Sequence, residues 1–165
     1  MSFPNRQGTP SSPVSPIRLE LDLQNASVSD LVPAHADIVA WTSAALNGWR
    51  EMAELTVRVV DLDESAGLNL RYRGRPGPTN VLSFPFSAPP GSPETTLLGD
   101  LVVCAPVVER EAGEQGKPLN AHWAHMIVHG VLHLLGFDHA DDDEAAVMEG
   151  LETDILRMLG FPQPY

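Results

Sequence analysis

One cysteine, Cys104, serves the entire 165-residue chain. A single thiol excludes an intramolecular disulfide and a thiolate metal cluster, and its place in the apolar run LVVCA is that of a small buried core residue. Long apolar runs are missing too. None approaches the ~20 residues that cross a bilayer, and the amino terminus lacks a basic region followed by a hydrophobic one. The expectation is therefore a cytoplasmic protein without membrane attachment. Cations are also scarce: 10 Lys and Arg face 22 Asp and Glu, for a formal net charge of −12. A broad basic surface of the kind that grips nucleic acid through its backbone is thereby excluded. The hydrophobic share of 43% and charged share of 19% are ordinary for one globular domain large enough to build a core without disulfides.

What is present in quantity is histidine, concentrated in His125 to His139, HMIVHGVLHLLGFDH. On a helix of about 3.6 residues per turn, His129 and His133 stack on one face, one turn apart. Gly136 follows where a glycine can take the left-handed conformation that ends a helix, and His139 is then returned toward the first two. Three neutral imidazoles with a free fourth position suit a catalytic zinc ion, which can lower the pKa of a bound water to about 7. An HxxxH pair alone fits a metal site no better than a structural pair, exposed or at a core edge. The full set, His, His, Gly and His at offsets 0, 4, 7 and 10, matches the spacing of the long metalloprotease motif HExxHxxGxxH. One residue departs from it. Position 130 is Gly, where a metalloprotease carries its general-base Glu, so the metal cage is expected without the peptidase machinery.

The run HGVLHLLGFDH, together with YRG at 72–74, PTNVLSFPF at 78–86 and LGD at 98–100, resembles the YbeY family of bacterial metal-dependent endoribonucleases. The resemblance extends from about Ile17 to Leu159 and departs at Phe137, where the family more often has Tyr, and in the proline-rich amino terminus. It implies one zinc ion on His129, His133 and His139, and a catalytically important arginine, here Arg73. It also implies action on single-stranded RNA in ribosomal RNA processing, including 16S ribosomal RNA 3′ end maturation and ribosome quality control. The small ribosomal subunit is the implied partner, and no DNA substrate is expected.

Along the chain, residues 1–16 are rich in Pro and Ser and are expected to form a flexible tail ahead of a single domain, 17–165. Ile17 to Leu23 alternates as a half-buried strand, and Val32 to Met52 has helical spacing. Leu55 to Val60 reads as a strand, Asp63 to Tyr72 as a short helix, and Thr79 to Phe86 as a strand that Pro85 assigns to an edge or to its own end. Such an edge could hold an extended substrate beside the metal, or simply be guarded by its proline. Leu97 to Ala105 suits a central strand. Helices are expected from Pro106 to about Gly113, from Ala121 to Leu135, and from Asp142 to Leu159. Strands and helices mix without strict alternation. The expected class is α+β: a small mixed sheet of about four strands packed by several helices, with a zincin-like metal helix in a cleft.

Placement refines the charge argument. Arg71, Arg73 and Arg75 gather three cations within five residues, a local patch suited to weak, selective RNA binding on a large ribonucleoprotein. A guanidinium offers two parallel donors to a phosphorane, the role expected of Arg73; a surface arginine in a turn is the plain alternative. Seven acids (Asp141, Asp142, Asp143, Glu144, Glu149, Glu152 and Asp154) are expected on a solvated helix face. His125 reads as a supporting, substrate-contacting or cleft-lining residue, His35 as a surface histidine and Met148 as core. Asp100 and Asp138 are candidates to orient an imidazole or to shape turns. Two other readings remain open at this point: a peptidase-like hydrolase, and a noncatalytic ribosome assembly factor stapled by its metal.

Overall fold

The computed structural model describes residues 17–165, so the tail assigned to residues 1–16 lies outside the described residues. Four strands and five helices follow in the order β1 (Arg18–Asn25), α1 (His35–Leu46), β2 (Met52–Val60), α2 (Leu62–Arg73), β3 (Val81–Pro85), β4 (Leu97–Cys104), α3 (Ala105–Gln115), α4 (Leu119–Leu134) and α5 (Asp142–Met158). The sheet order is β1-β2-β4-β3. β1 and β4 both run parallel to β2, while β3 runs antiparallel to β4 at the edge. The fold is α+β, as the mixed pattern suggests.

Period-two alternation explains how the sheet divides its two faces. Ala53, Leu55, Val57 and Val59 of β2 join Leu101 and Val103 of β4 and Val81 of β3 in one large core, together with side chains of α1, α4 and α5. The opposite parity, Leu82, Phe84, Val102 and Cys104, forms a smaller cluster with Leu68 of α2. α4 is the centre of the larger core. From Ala121 to Leu134 every residue is buried except His129 and His133, so beyond its first two residues this helix reaches solvent only through the imidazole pair. Cys104 is buried, as is Met148.

Several boundaries differ from those the periodicity suggests. The helical spacing of 32–52 breaks at Leu46, because Gly48 adopts φ 83° and turns the chain, leaving Met52 to begin β2. α4 starts two residues earlier than expected, at Leu119 directly after Pro118. β3 stops at Pro85, which cannot donate to a ladder.

Candidate functional site

α4 ends in a turn that its sequence encodes closely. Gly136 takes φ 102°, its N–H donates to the His133 carbonyl at 3.0 Å, and the Phe137 N–H donates to the Leu132 carbonyl at 3.0 Å. These two bonds are the paired set of a Schellman motif with Gly at the left-handed position. Phe137 is buried and meets Trp49 edge to face, 5.1 Å between centroids, which anchors the reversed chain. Asp138 Oδ1 accepts from the His139 N–H at 2.7 Å. The result is that His139 returns over the helix end.

Its ring lies 5.0 Å from that of His133 and 5.7 Å from that of His129, centroid to centroid. One ring nitrogen from each of the three lies within 4.8 Å of the others. The Nε2 atoms of His129 and His133 face each other at 3.2 Å. Two donors held at bond lengths of about 2.0–2.1 Å on a tetrahedral ion would stand about 3.3 Å apart, so this pair already has a ligand spacing. Burial, reinforced by the neighbouring imidazoles of His129 and His139, pushes the His133 pKa down to about 4. It is therefore neutral at pH 7, the state a metal ligand requires. An all-imidazole donor set with borderline softness fits zinc, and also other first-row ions.

The three imidazoles occupy one wall of a cleft of about 440 Å³, and Arg73, Thr79, Asn80, Ser83 and Pro85 line it from α2, the following loop and β3. Arg73 is the last residue of α2, where Gly74 caps the helix in the left-handed conformation and frees the arginine at the rim. Arg71 and Arg75 are exposed beside it. Ser83 Oγ donates to the Gly130 carbonyl at 3.0 Å, tying the edge strand to the metal helix.

Other candidates are dispersed. Asp100 is exposed and shares the parity of Val102, on the sheet face away from α4, so it orients no imidazole of this site. His35 is exposed, with Nε2 2.9 Å from the Leu21 carbonyl. His122 is buried against Glu111, 2.9 Å away. His125 is buried rather than cleft-lining.

One expectation is reversed. Glu152 does not belong to a solvated acidic face; it is 0% exposed, inside the packing of α5 on α4. Its Oε1 contacts Nδ1 of His129, and its Oε2 accepts from Nε2 of His125 at 2.8 Å and from the Tyr165 hydroxyl. Burial alone would raise its pKa, but these hydrogen bonds outweigh it and hold the carboxyl ionised, with a pKa of about 2. The signal available in the sequence was position: Glu152 falls four residues after Met148 and three before Ile155, on the buried stripe of α5.

The family model described as endoribonuclease YbeY matches residues 22–160. Among solved structures, the solution structure of TM1509 from Thermotoga maritima is similar, with a TM-score of 0.52 and 22% identity over 84% of this chain and 87% of that one. At that identity the likeness concerns the fold alone. The family match spans both walls of the cleft, from β1 to the end of α5, and the chain belongs to the YbeY endoribonuclease family.

Proposed function

We propose that this endoribonuclease is zinc-dependent, with the ion held by His129, His133 and His139, and that it cleaves single-stranded precursor RNA in ribosomal RNA processing. The finer reading places its work in the cytoplasm, at 16S ribosomal RNA 3′ end maturation and ribosome quality control on the small subunit. The observation that carries the reading is the convergence of three imidazole nitrogens in a cleft that Arg73 also lines. When bound, zinc would supply Lewis acidity to an oxygen at the scissile phosphate or to water.

The chain's own residues provide the rest. Arg73 offers a fork of donors to phosphoryl oxygens, and its charge favours the negative charge that gathers there during cleavage. Thr79 puts a hydroxyl along the same wall, and Ser83, whose proton goes to the Gly130 carbonyl, keeps lone pairs that can accept from a ribose hydroxyl, while the Asn80 amide is held by Glu111. Ser83 is held in place by the Gly130 carbonyl. Gly130 contributes no side chain, so no carboxylate stands where a peptidase keeps its base. A cleft with one arginine cluster at its rim favours a strand whose phosphates are exposed and whose bases are unstacked.

The test is incubation with labelled single-stranded RNA from a 16S precursor, duplex RNA, single-stranded DNA and a labelled peptide. Cleavage confined to single-stranded RNA, abolished by His133→Ala and by chelation, supports the reading. Cleavage of peptide alone would overturn it, as would RNA cleavage indifferent to His133.

A further inference from the structure

The carboxylate of Glu152 is the most deeply buried charge among the described residues, and three donors converge on it, two from α4 and one from the segment after α5. Nδ1 of His129 takes one oxygen; Nε2 of His125 and the Tyr165 hydroxyl take the other. The segment that carries Tyr165 is held from outside the cluster. Lys117 Nζ donates to the Pro164 carbonyl at 2.7 Å, and Phe161 packs edge to face on Trp41 at 6.0 Å, so the segment carrying Tyr165 is pinned at both ends. The Tyr165 ring in turn stands edge to face on His125, 5.2 Å between centroids.

An ionised carboxylate accepts and does not donate. Every contact to Glu152 therefore demands a proton on the partner, and for His129 that proton sits on Nδ1. The consequence is at the other nitrogen. With Nδ1 protonated, a neutral His129 presents an unprotonated Nε2, and that atom is the one 3.2 Å from Nε2 of His133 in the cleft. The ring cannot rotate about χ2 without abandoning the carboxylate.

We infer that Glu152 is a positioning residue for the metal centre, fixing the tautomer and ring plane of His129, and that Tyr165 and His125 hold the carboxylate in place. This rests on the reading of His129, His133 and His139 as metal ligands. The cluster of His125, His129 and Glu152 also has the spacing of a cation site. Direct contact between Oε1 of Glu152 and Nδ1 of His129 leaves room for a proton between them and none for an ion.

The experiment compares zinc affinity, by competition with a chromophoric chelator, in wild type, Glu152→Gln and Tyr165→Phe. Metal-free ¹⁵N imidazole spectra of the same proteins report the His129 tautomer. Wild type is expected to bind one zinc per chain. Glu152→Gln weakens binding about 10- to 100-fold, the usual effect of losing a partner behind a metal-bound imidazole. It also replaces the single Nδ1-protonated form of His129 by a mixture. Tyr165→Phe, which keeps the ring and its packing, weakens binding in the same direction by several-fold, and it decides the matter if Glu152→Gln does not fold. Wild-type protein that binds no zinc would overturn both this role and the metal reading. Wild-type binding with both variants unchanged in affinity and tautomer would overturn the positioning role alone, and so would a second tight zinc site lost with Glu152.

Discussion

Gly130 and Leu101 are in contact across the interface between α4 and the sheet. A Cβ placed on Gly130 would lie 2.9 Å from one methyl of Leu101 and 3.2 Å from the other, with Val81 also at 3.2 Å. Both neighbours are buried, so neither has open space to retreat into. The residue that a metalloprotease uses as its base is therefore absent for a reason of packing: here that position of the helix lies flat against the sheet. The imidazoles one residue before and three after face the cleft instead.

Gly130→Ala is accordingly expected to destabilise the protein. Overpacking a core costs about 1–3 kcal/mol, and replacing a helical glycine returns up to about 1 kcal/mol, so the net loss is about 1 kcal/mol. Urea unfolding checks it; a stabilised variant would show that the interface yields. Gly130→Glu is expected not to gain peptidase activity, because the carboxylate would be driven into Leu101 and Val81.

Gly99 is more constrained still. It has φ 138°, and a Cβ there would meet the Phe84 carbonyl oxygen at 2.1 Å. Gly99→Ala must open the end of the β3–β4 ladder and is expected to cost about 2–3 kcal/mol. Because β3 carries Ser83 at the cleft, loss of RNA cleavage should accompany the fall in thermal midpoint.

Stability of the metal-free protein should depend on pH in two stages. His133 has its folded pKa lowered from 6.5 to about 4 by burial first and by neighbouring charge second. The unfolded chain thus binds the extra proton first as pH falls, and stability declines between about pH 6.5 and 4. Glu152, with its pKa lowered from 4.5 to about 2, adds stability that is complete above 4.5 and is lost as pH falls toward 2. Urea titrations at successive pH values in chelator check both stages. His133→Gln should flatten the upper one; an unchanged upper slope would contradict the assignment.

Much of this site was readable in advance because it is encoded locally. The spacing of His129, His133, Gly136 and His139 specifies a helix face, a left-handed stop and a return, and those are short-range events. The family resemblance similarly drew attention to Arg73, although only the packing of α2 beside β3 brings it to the cleft rim. Glu152 and Tyr165 were not readable in the same way. Glu152 lies among exposed acids of the same helix; its place on the stripe of Met148 and Ile155 is a local signal, but which partners it meets there depends on how α5 lies on α4, a long-range relationship. The break at Leu46 was missed because the apolar spacing continues through Trp49, which packs on Phe137 although it lies outside the helix. Hydrophobic period marks what is buried, and does not by itself mark where the backbone turns.

Arg73 provides a kinetic prediction. Arg73→Ala should lower cleavage of single-stranded RNA by about 10²–10³-fold, the usual effect of removing one preorganised donor from a developing oxyanion. Arg73→Lys should recover only part of it, because an ammonium lacks the planar fork. The side chain is exposed at the rim, so neither variant should shift the thermal midpoint appreciably. Equal activity in all three proteins would remove Arg73 from the mechanism.

The most direct measurement of the central claim is metal content and RNA cleavage followed together on one preparation, as purified, after chelation and after stepwise return of zinc. The account predicts that cleavage disappears with the metal and returns in proportion to zinc up to one ion per chain, and that His139→Ala neither retains the ion nor recovers activity. Cleavage that persists in fully metal-free protein, or a His139→Ala variant that binds zinc and cuts RNA as the wild type does, would contradict it.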